Sequence, residues 1–137
     1  MSKLFAFLNP EPIHEEKEVV VSNRFKDENG EVVPFRIRAI SQRENDEITR
    51  KSFRRVSNVN GQIVKEFDNI EYQLNVVLRG TVYPSFADKE LCDAYNTPNP
   101  LDVIENMLTA GEFAKLADAI SKISGFEDNS LAEEAKN

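Results

Sequence analysis

Residues 99–125 read NPLDVIENMLTAGEFAKLADAISKISG, and this stretch decides the fold class. Pro100 suits the first position of a helix, because its missing N–H is not needed there. Thr109 and Glu112 have the spacing of a capping box, in which each side chain caps the other residue's backbone. Apolar residues recur at helical spacing on both sides of this box, and Gly125 suits a left-handed cap. The stretch therefore predicts a helical hairpin with a tight joint.

Two Asn-Gly pairs divide the preceding part of the chain and predict β-hairpins. Asn29-Gly30 separates two stretches rich in β-branched and aromatic residues, 18–26 and 32–40. Asn-Gly supplies both positive-φ positions of a type I′ turn. Apolar residues alternate with mainly basic ones in the second stretch, which predicts a strand with one solvated face. A second pair, Asn60-Gly61, predicts another, weaker hairpin.

Cap residues predict three further helices. Ser41 and Glu44 form another capping box, and the helix that follows is expected to run to about Val56. Asp68 and Asp88 are N-caps of a longer and a short helix. The stripe expected to be buried on the longer helix is Ile70, Leu74, Val77, Leu78 and Thr81. The predicted class is α+β, with N-terminal β-hairpins packed against a C-terminal set of helices that ends in the helical hairpin.

Length and composition predict one domain and an acidic tail. The chain has 137 residues, close to the usual size of a single domain. We expect one α+β domain at 1–125 and a flexible acidic tail at 126–137, where apolar content falls. No apolar run is long enough to span a bilayer, so no membrane partner is expected. The single cysteine, Cys92, excludes an internal disulfide and favours a reducing cytoplasm.

Charge favours a protein partner over a nucleic acid. Seventeen basic residues stand against 24 acidic ones, for a net charge of −7, whereas binding to phosphates is driven by an excess of Lys and Arg. Residues 36–55 are an exception, with seven basic and three acidic residues and a local charge of +4. The candidate partner-binding residues in this island are Arg43, Arg50, Lys51, Arg54 and Arg55. The simpler interpretation of the same pattern is a solvated helix face.

Catalytic motifs are missing from the sequence. His14 is the only histidine, and no further His or Cys lies at metal-ligand spacing from it. Cys92 lies on an amphipathic stretch, which is typical of a small core residue. The glycines are spread singly, so no phosphate-binding loop is formed. We therefore expect no metal, no cofactor and no enzymatic activity, and interpret the chain as an interaction module.

Short motifs occur in a characteristic order along the chain. They are FLNP at 7–10, VVVSNRFKDENG at 19–30, VPFRIRAI at 33–40, YPSF at 83–86, LCDAY at 91–95, MLTAGEF at 107–113, GF at 125–126 and EEAKN at 133–137. In their order and spacing the sequence resembles the XkdN-like phage tail assembly chaperones of Gram-positive phages and prophages. No single motif is diagnostic, and the resemblance rests on the whole series.

The resemblance implies a non-enzymatic role in building the tails of long-tailed phages. Such chaperones are thought to coat the helical tape measure protein, keep it soluble and pass it to the tail tube protein. They act in the bacterial host cytoplasm and leave before the virion is complete. Many copies along one rod also need reversible self-association, for which the basic island and the acidic C-terminal half of the chain offer complementary charges. The alternatives are a structural minor tail protein and a small acidic regulator that binds a host protein.

The last three residues suggest a second gene product. In many long-tailed phages the chaperone gene yields a longer protein by programmed −1 frameshifting near its end. Ala135-Lys136-Asn137 can be encoded by GCA AAA AAT or GCA AAA AAC, which contains a slippery heptamer directly before the stop. Ordinary codon use at an exposed end is the alternative explanation.

Overall fold

Helices and short strands alternate along the chain in the computed structural model, which describes residues 3–13 and 16–126. The predicted α+β class is confirmed, with strands in two antiparallel sheets and the longest helix at the end of the described chain. In chain order the elements are α1 (Phe5–Leu8), β1 (Glu16–Val19), β2 (Phe35–Arg38), α2 (Gln42–Lys51), β3 (Phe53–Ser57), β4 (Ile63–Phe67), α3 (Asn69–Gly80), β5 (Thr81–Tyr83), α4 (Lys89–Ala94), α5 (Pro100–Met107) and α6 (Ala110–Ile123).

The larger sheet has the strand order β1-β2-β5, with both pairs antiparallel. β1 is an edge strand, and its register places Glu16 opposite Arg38 and Val19 opposite Phe35. In β2 the predicted alternation is confirmed, because Phe35 and Ile37 are buried and the arginines face outward. Helix α6 packs against this central strand and covers its apolar side.

The first predicted hairpin forms, but its strands are shorter than predicted and its turn is of another type. Only residues 16–19 and 35–38 pair as strands, with a single additional bridge between Lys26 and Val32. Gly30 donates its N–H to the Asp27 carbonyl at 3.0 Å and alone takes a positive φ in this turn. The type I′ prediction is wrong because a type I′ turn needs two such residues.

Helix α2 ends five residues earlier than predicted. The capping box of Ser41 and Glu44 is present, but the helix stops at Lys51, and residues up to Val56 belong to β3. The buried Ser52 hydroxyl donates to the Ile48 carbonyl at 2.6 Å in the last turn. Aromatic and β-branched residues after Ser52 then favour a strand over a helix.

Strands β3 and β4 form the second predicted hairpin, which we call the arm (residues 53–67). The arm pairs with no other strand among the described residues. All five residues of β4 are exposed, and Ile63 retains 72% of its accessible surface. The arm is therefore a solvent-exposed projection, joined to the body at its base.

The core lies between the larger sheet and helices α3, α5 and α6. Ile37, Val77, Val103, Leu116 and Ile120 are its fully buried centre. The predicted helical hairpin is confirmed, with a capping box at the start of α6 and a left-handed glycine after its end. The predicted N-caps of α3 and α4 are confirmed as well.

Two expectations for buried residues have different outcomes. Leu74, Val77 and Thr81 of the predicted stripe are buried, but Ile70 is 69% exposed and this part of the prediction is wrong. Cys92 is buried, as expected of a core residue, with its Sγ 3.4 Å from the Phe86 carbonyl oxygen.

Some predictions concern residues outside the described part of the chain. His14 is one, and residues 127–137 of the predicted acidic tail are another, including the terminal Ala135-Lys136-Asn137. The division into a domain at 1–125 and a tail stays a prediction. Phe126, which precedes these residues, is 59% exposed.

Candidate protein-binding surface

The five cations nominated from the sequence lie on α2 and β3. Arg43, Arg50, Lys51, Arg54 and Arg55 are all exposed. Arg54 is paired, with its Nη2 3.6 Å from Glu66 Oε1. The other four form no ion pair with any residue in 3–13 or 16–126. Of these four, Lys51 acts on Glu47 through its charge, and the charges of Arg43, Arg50 and Arg55 are available to a partner.

Two other arginines of the basic island belong to the scaffold. Arg38 Nη2 lies 2.5 Å from Glu44 Oε2, and this hydrogen bond lowers the pKa of Glu44 to about 2. Arg36 lies 3.7 Å from Glu16 and 3.8 Å from Glu18, across the paired strands β1 and β2. These cations hold the sheet and α2 in place, so the +4 charge counted along the sequence is not all available at the surface.

One face of the arm combines apolar side chains with a pair of like charges. Arg55 lies directly opposite Lys65, and Phe53 lies opposite Phe67 on the same face. The two phenylalanine rings meet edge to face, with centroids 5.5 Å apart. Like charges placed directly opposite each other destabilise a hairpin. An anionic partner would relieve this repulsion.

Lys65 is the functional candidate that the sequence analysis missed. It lies outside the window 36–55 and joins Arg55 only through strand pairing. The available signal was the turn, because a hairpin centred on Asn60 pairs residues equally far from it. Arg54 points to the opposite face, where it meets Glu66, so the five nominated cations do not share one face.

The base of the arm is fixed to the body. The Asp68 N–H donates to the Ser52 carbonyl oxygen at 2.6 Å, and the Phe67 ring lies 5.7 Å from that of Tyr72. Ser52 is itself fully buried. These contacts orient the arm, while the side chains further along it face solvent.

A second exposed apolar surface is a groove between α3 and the joint of α5 and α6, which we call the joint groove. It has a volume of about 290 Å³. Its walls include Ile70, Leu108 and Phe113. The exposure of Ile70 is explained by this position, because its side chain lines the groove instead of entering the core. An apolar groove between helices is a common receptor for the apolar face of another helix.

An ion pair lies at the joint of α5 and α6, next in sequence to residues that line the joint groove. Arg24 donates to both carboxylate oxygens of Glu112, at 3.0 and 2.6 Å, and to the Met107 carbonyl at 2.7 Å. The pKa of Glu112 is lowered to about 2, mainly by the hydrogen bond from Arg24 and next by the hydrogen bond from the Thr109 backbone. The loop between β1 and β2 is thereby tied to the joint of the helical hairpin.

Residues 3–13 and 16–126 contain neither a metal-binding cluster nor a membrane-spanning helix. No cluster of three or more His, Cys, Asp or Glu side chains there is arranged to hold a metal ion. None of the helices in those ranges has the length and apolar character needed to cross a membrane. Exposed apolar side chains beside unpaired cations are instead the features of a protein-binding module.

Comparison with known proteins identifies the family of this module. The chain belongs to the phage XkdN-like tail assembly chaperone family, whose model matches residues 4–136. It is 39% identical over 127 residues to the protein YqbN of Bacillus subtilis strain 168. It is 36% identical over 127 residues to XkdN of the phage-like element PBSX of the same strain. Each match covers 90% of this chain and 85% of the relative.

A solved structure supports the same assignment. The crystal structure of the protein YqbN is similar to this chain with a TM-score of 0.73 at 32% identity, over 93% of this chain and 99% of that one. The resemblance inferred from the sequence is thus confirmed at the level of the family and the fold. Family membership supports a role in phage tail assembly.

Proposed function

We propose that this protein is a tail assembly chaperone whose client is the tape measure protein. The observation that carries the proposal is the face of the arm on which Arg55 and Lys65 lie side by side with Phe53 and Phe67, without a counterion among the described residues. A long helix with an apolar stripe and flanking carboxylates is complementary to both the apolar side chains and the positive charges of this face. Such a helix aggregates unless its stripe is covered, which is the need that a chaperone meets.

The proposed contact residues are the cations of α2 and of both faces of the arm. They are Arg43, Arg50, Lys51, Arg54, Arg55 and Lys65. Arg54 is expected to contribute least, because Glu66 already neutralises it. The joint groove is the proposed receptor for the apolar stripe of the client helix. Ile70, which is exposed, and Phe113, which is half-buried, both line this groove.

Co-expression with the tape measure protein of the same phage tests the proposal. We expect the long protein to become soluble in the presence of this chain and to co-elute with several copies of it. Recovery of the long protein in equal amounts without this chain would contradict a chaperone role. Capture of a host protein in its place would favour a regulator.

Charge variants then test the surface. Arg55→Gln combined with Lys65→Gln is expected to reduce co-elution at least tenfold, whereas Lys26→Gln combined with Lys89→Gln removes the same charge elsewhere and should leave it unchanged. Lys26 and Lys89 are exposed; Lys26 lies in the segment between β1 and β2, and Lys89 lies on α4. Equal losses for both variants would mean that net charge alone, and not the arm, governs binding.

The place of action follows from the same proposal. A chaperone of this kind acts in the bacterial host cytoplasm, recruits tail tube subunits to the tape measure protein and is absent from the finished particle. Mass spectrometry of purified particles checks this. Its presence at a fixed copy number would instead favour a structural minor tail protein.

A longer frameshifted product is a further part of the proposal. Ala135-Lys136-Asn137 can be encoded by codons that contain a slippery heptamer, and a −1 frameshift there would continue the chain in another reading frame. Peptides that cross this point, found by mass spectrometry of infected cells, would support it. Codons that break the heptamer would remove it.

A further inference from the structure

One face of the arm presents two adjacent positive charges beside an exposed isoleucine. Arg55 lies directly opposite Lys65 in the hairpin, and residues paired in this way have Cβ atoms about 5 Å apart. Neither cation forms an ion pair within the described ranges. Ile63 lies two positions from Lys65, so it shares the same face, and it is 72% exposed. This face therefore offers a partner both charge and apolar surface.

Helix α5 carries a pair of carboxylates with nearly the same spacing, at the rim of the joint groove. Glu105 lines the groove, and Asp102 lies three positions earlier on the exposed side of the helix. Residues three apart on a helix have Cβ atoms roughly 5–6 Å apart. Asp102 accepts a hydrogen bond from the Thr97 hydroxyl at 3.1 Å, and neither carboxylate pairs with a cation in the described part of the chain. The described lining of the groove contains no Lys or Arg, so the negative charge at its rim is not offset there.

The wider distribution of charge agrees with these two pairs. Residues 88–105, which include α4 and α5, contain five acidic residues and one basic residue, for a local charge of −4. The arm contains three basic residues and one acidic residue, for a local charge of +2. Opposite potentials of this kind steer two surfaces together and fix their register. The arm and the acidic rim of the joint groove are therefore electrostatically complementary.

The arm does not fill the joint groove of its own chain. Within the described chain no arm residue lines this groove, and Val59 at the tip of the arm is fully exposed. The Phe67 ring packs on Tyr72, a residue of α3 that does not line the groove either. This contact holds the arm beside the groove. Both apolar surfaces therefore stay uncovered in a single copy, which is typical of surfaces that bind a partner.

We propose that the arm of one copy docks in the joint groove of a second copy. Ile63 would contact the apolar walls of the groove, and the cations Arg55 and Lys65 would face the two carboxylates of α5. The contact is head-to-tail, because the two surfaces that meet are different, so it closes into a ring or continues as an open chain. One face of the arm has six side chains, whereas a standard interface takes roughly 20–30 residues a side. The association is therefore weak and reversible.

The contact does not rest on the proposed client, but it uses the surfaces proposed for that client. A bound client helix would cover the arm face and the joint groove, and would thereby separate the copies. In the absence of a client, a second copy covers the same apolar side chains. Self-association and client binding are thus alternatives for each copy.

Sedimentation of the full chain over a range of concentrations, with no client present, tests the contact. The mean mass of the unaltered chain is expected to rise with concentration, and Ile63→Ser should weaken the association at least tenfold. Ile13→Ser is the matched control, because Ile13 is 69% exposed and lies outside both the arm and the joint groove. A monomer at every concentration in the unaltered chain, or an equal loss in both variants, would overturn the proposal. Co-expression with the tape measure protein is a separate measurement, so this failure would leave the proposed client standing.

Charge reversal tests which two surfaces meet. Arg55→Glu with Lys65→Glu gives an acidic arm, and Asp102→Lys with Glu105→Lys gives a basic groove rim. Each of these variants is expected to be monomeric alone, because like charges then face each other. Their mixture should associate again, since the acidic arm of one variant fits the basic rim of the other. A mixture that stays monomeric while both variants keep their helical circular dichroism would contradict the assigned contact.

Two controls separate this contact from other electrostatic explanations. Lys17→Glu with Lys26→Glu makes the same change in net charge as the acidic arm, at exposed positions outside the arm, and should leave the association unchanged. Residues 127–137 contain four acidic residues and one basic residue, so they compete with α5 as a partner for the cations of the arm. A chain that ends at residue 126 should associate as the unaltered chain does. Loss of association in either control would overturn the proposal, in favour of net charge or of residues 127–137 respectively.

Discussion

Replacing Gly80 by alanine is a sharp test of how α3 packs on α6. Gly80 is the last residue of α3, and a Cβ atom placed on it would lie 2.6 Å from Ile120 Cγ2 and 2.9 Å from Ile120 Cδ1. Ile120 is fully buried, so it has little room to move. Its Cγ2 is fixed on a β-branched carbon that has one strongly preferred rotamer in a helix. The two helices must therefore separate or strain.

The magnitude follows from two opposing effects. Alanine stabilises a helix by about 0.5–1 kcal/mol relative to glycine. Overpacking a well-filled core costs about 1–3 kcal/mol. The steric effect is the larger one at this distance, so Gly80→Ala is expected to lower the free energy of unfolding by roughly 1–2 kcal/mol.

Urea unfolding followed by circular dichroism measures this change as a lower midpoint with an unaltered slope. Gly111→Ala is the matched control, because Gly111 lies in α6 and a Cβ there would meet no atom within 4 Å. That variant should gain about 0.5–1 kcal/mol. Equal gains in both variants would refute the close approach of the two helices.

A double-mutant cycle with Ile120→Ala extends the test. Ile120→Ala alone is expected to cost about 2–5 kcal/mol through the cavity it leaves. In the combined variant the methyl group at position 80 enters that cavity. The loss in free energy of unfolding should therefore be smaller than the sum of the two single losses by at least about 1 kcal/mol. Strict additivity would mean that the two side chains are not in contact.

Three further predictions concern the ion pairs, the caps and the arm. The pKa of Glu112 is about 2 in the folded chain against an ordinary value of 4.5. Its bond to Arg24 therefore stabilises the fold above pH 4.5, and this contribution is lost as the pH falls towards 2. The urea midpoint of the unaltered chain should drop over that pH range, and that of Glu112→Gln should drop less. Thr109→Ala removes the N-cap of α6 and should cost about 1 kcal/mol in the same assay. Arg55→Gln with Lys65→Gln removes a like-charge pair, so hydrogen exchange of the arm's strand amides should slow down even as client binding weakens.

The helices were the most predictable part of the fold because their signals are local. The N-caps Asp68, Asp88 and Asn99 and the capping box of Thr109 act within three residues of sequence. The end of α2 was missed because no glycine marks it. The helix ends before Ser52. The burial of the Ser52 hydroxyl and the hydrogen bond from the Asp68 N–H to the Ser52 carbonyl oxygen both depend on tertiary structure.

The candidate surface was only partly predictable. Counting charges along the sequence included both Arg55 and Arg38 in the basic island. Only the folded chain shows that Arg38 is paired with Glu44. Lys65 was missed because strand register, not sequence distance, places it beside Arg55. Ile70 has the spacing of a core residue, and its exposure depends on where α5 and α6 meet α3.

The pair of Arg24 and Glu112 also sets an order of events during synthesis. The two residues are 88 positions apart, so a ribosome delivers the arginine long before its partner. Until α6 emerges, β2 lacks the helix that covers Phe35 and Ile37, and the sheet has one open apolar side. Contacts between distant positions form late. Nascent chains that end before residue 112 therefore lack both the cover and the pair, and one apolar side of the sheet stays open until α6 emerges.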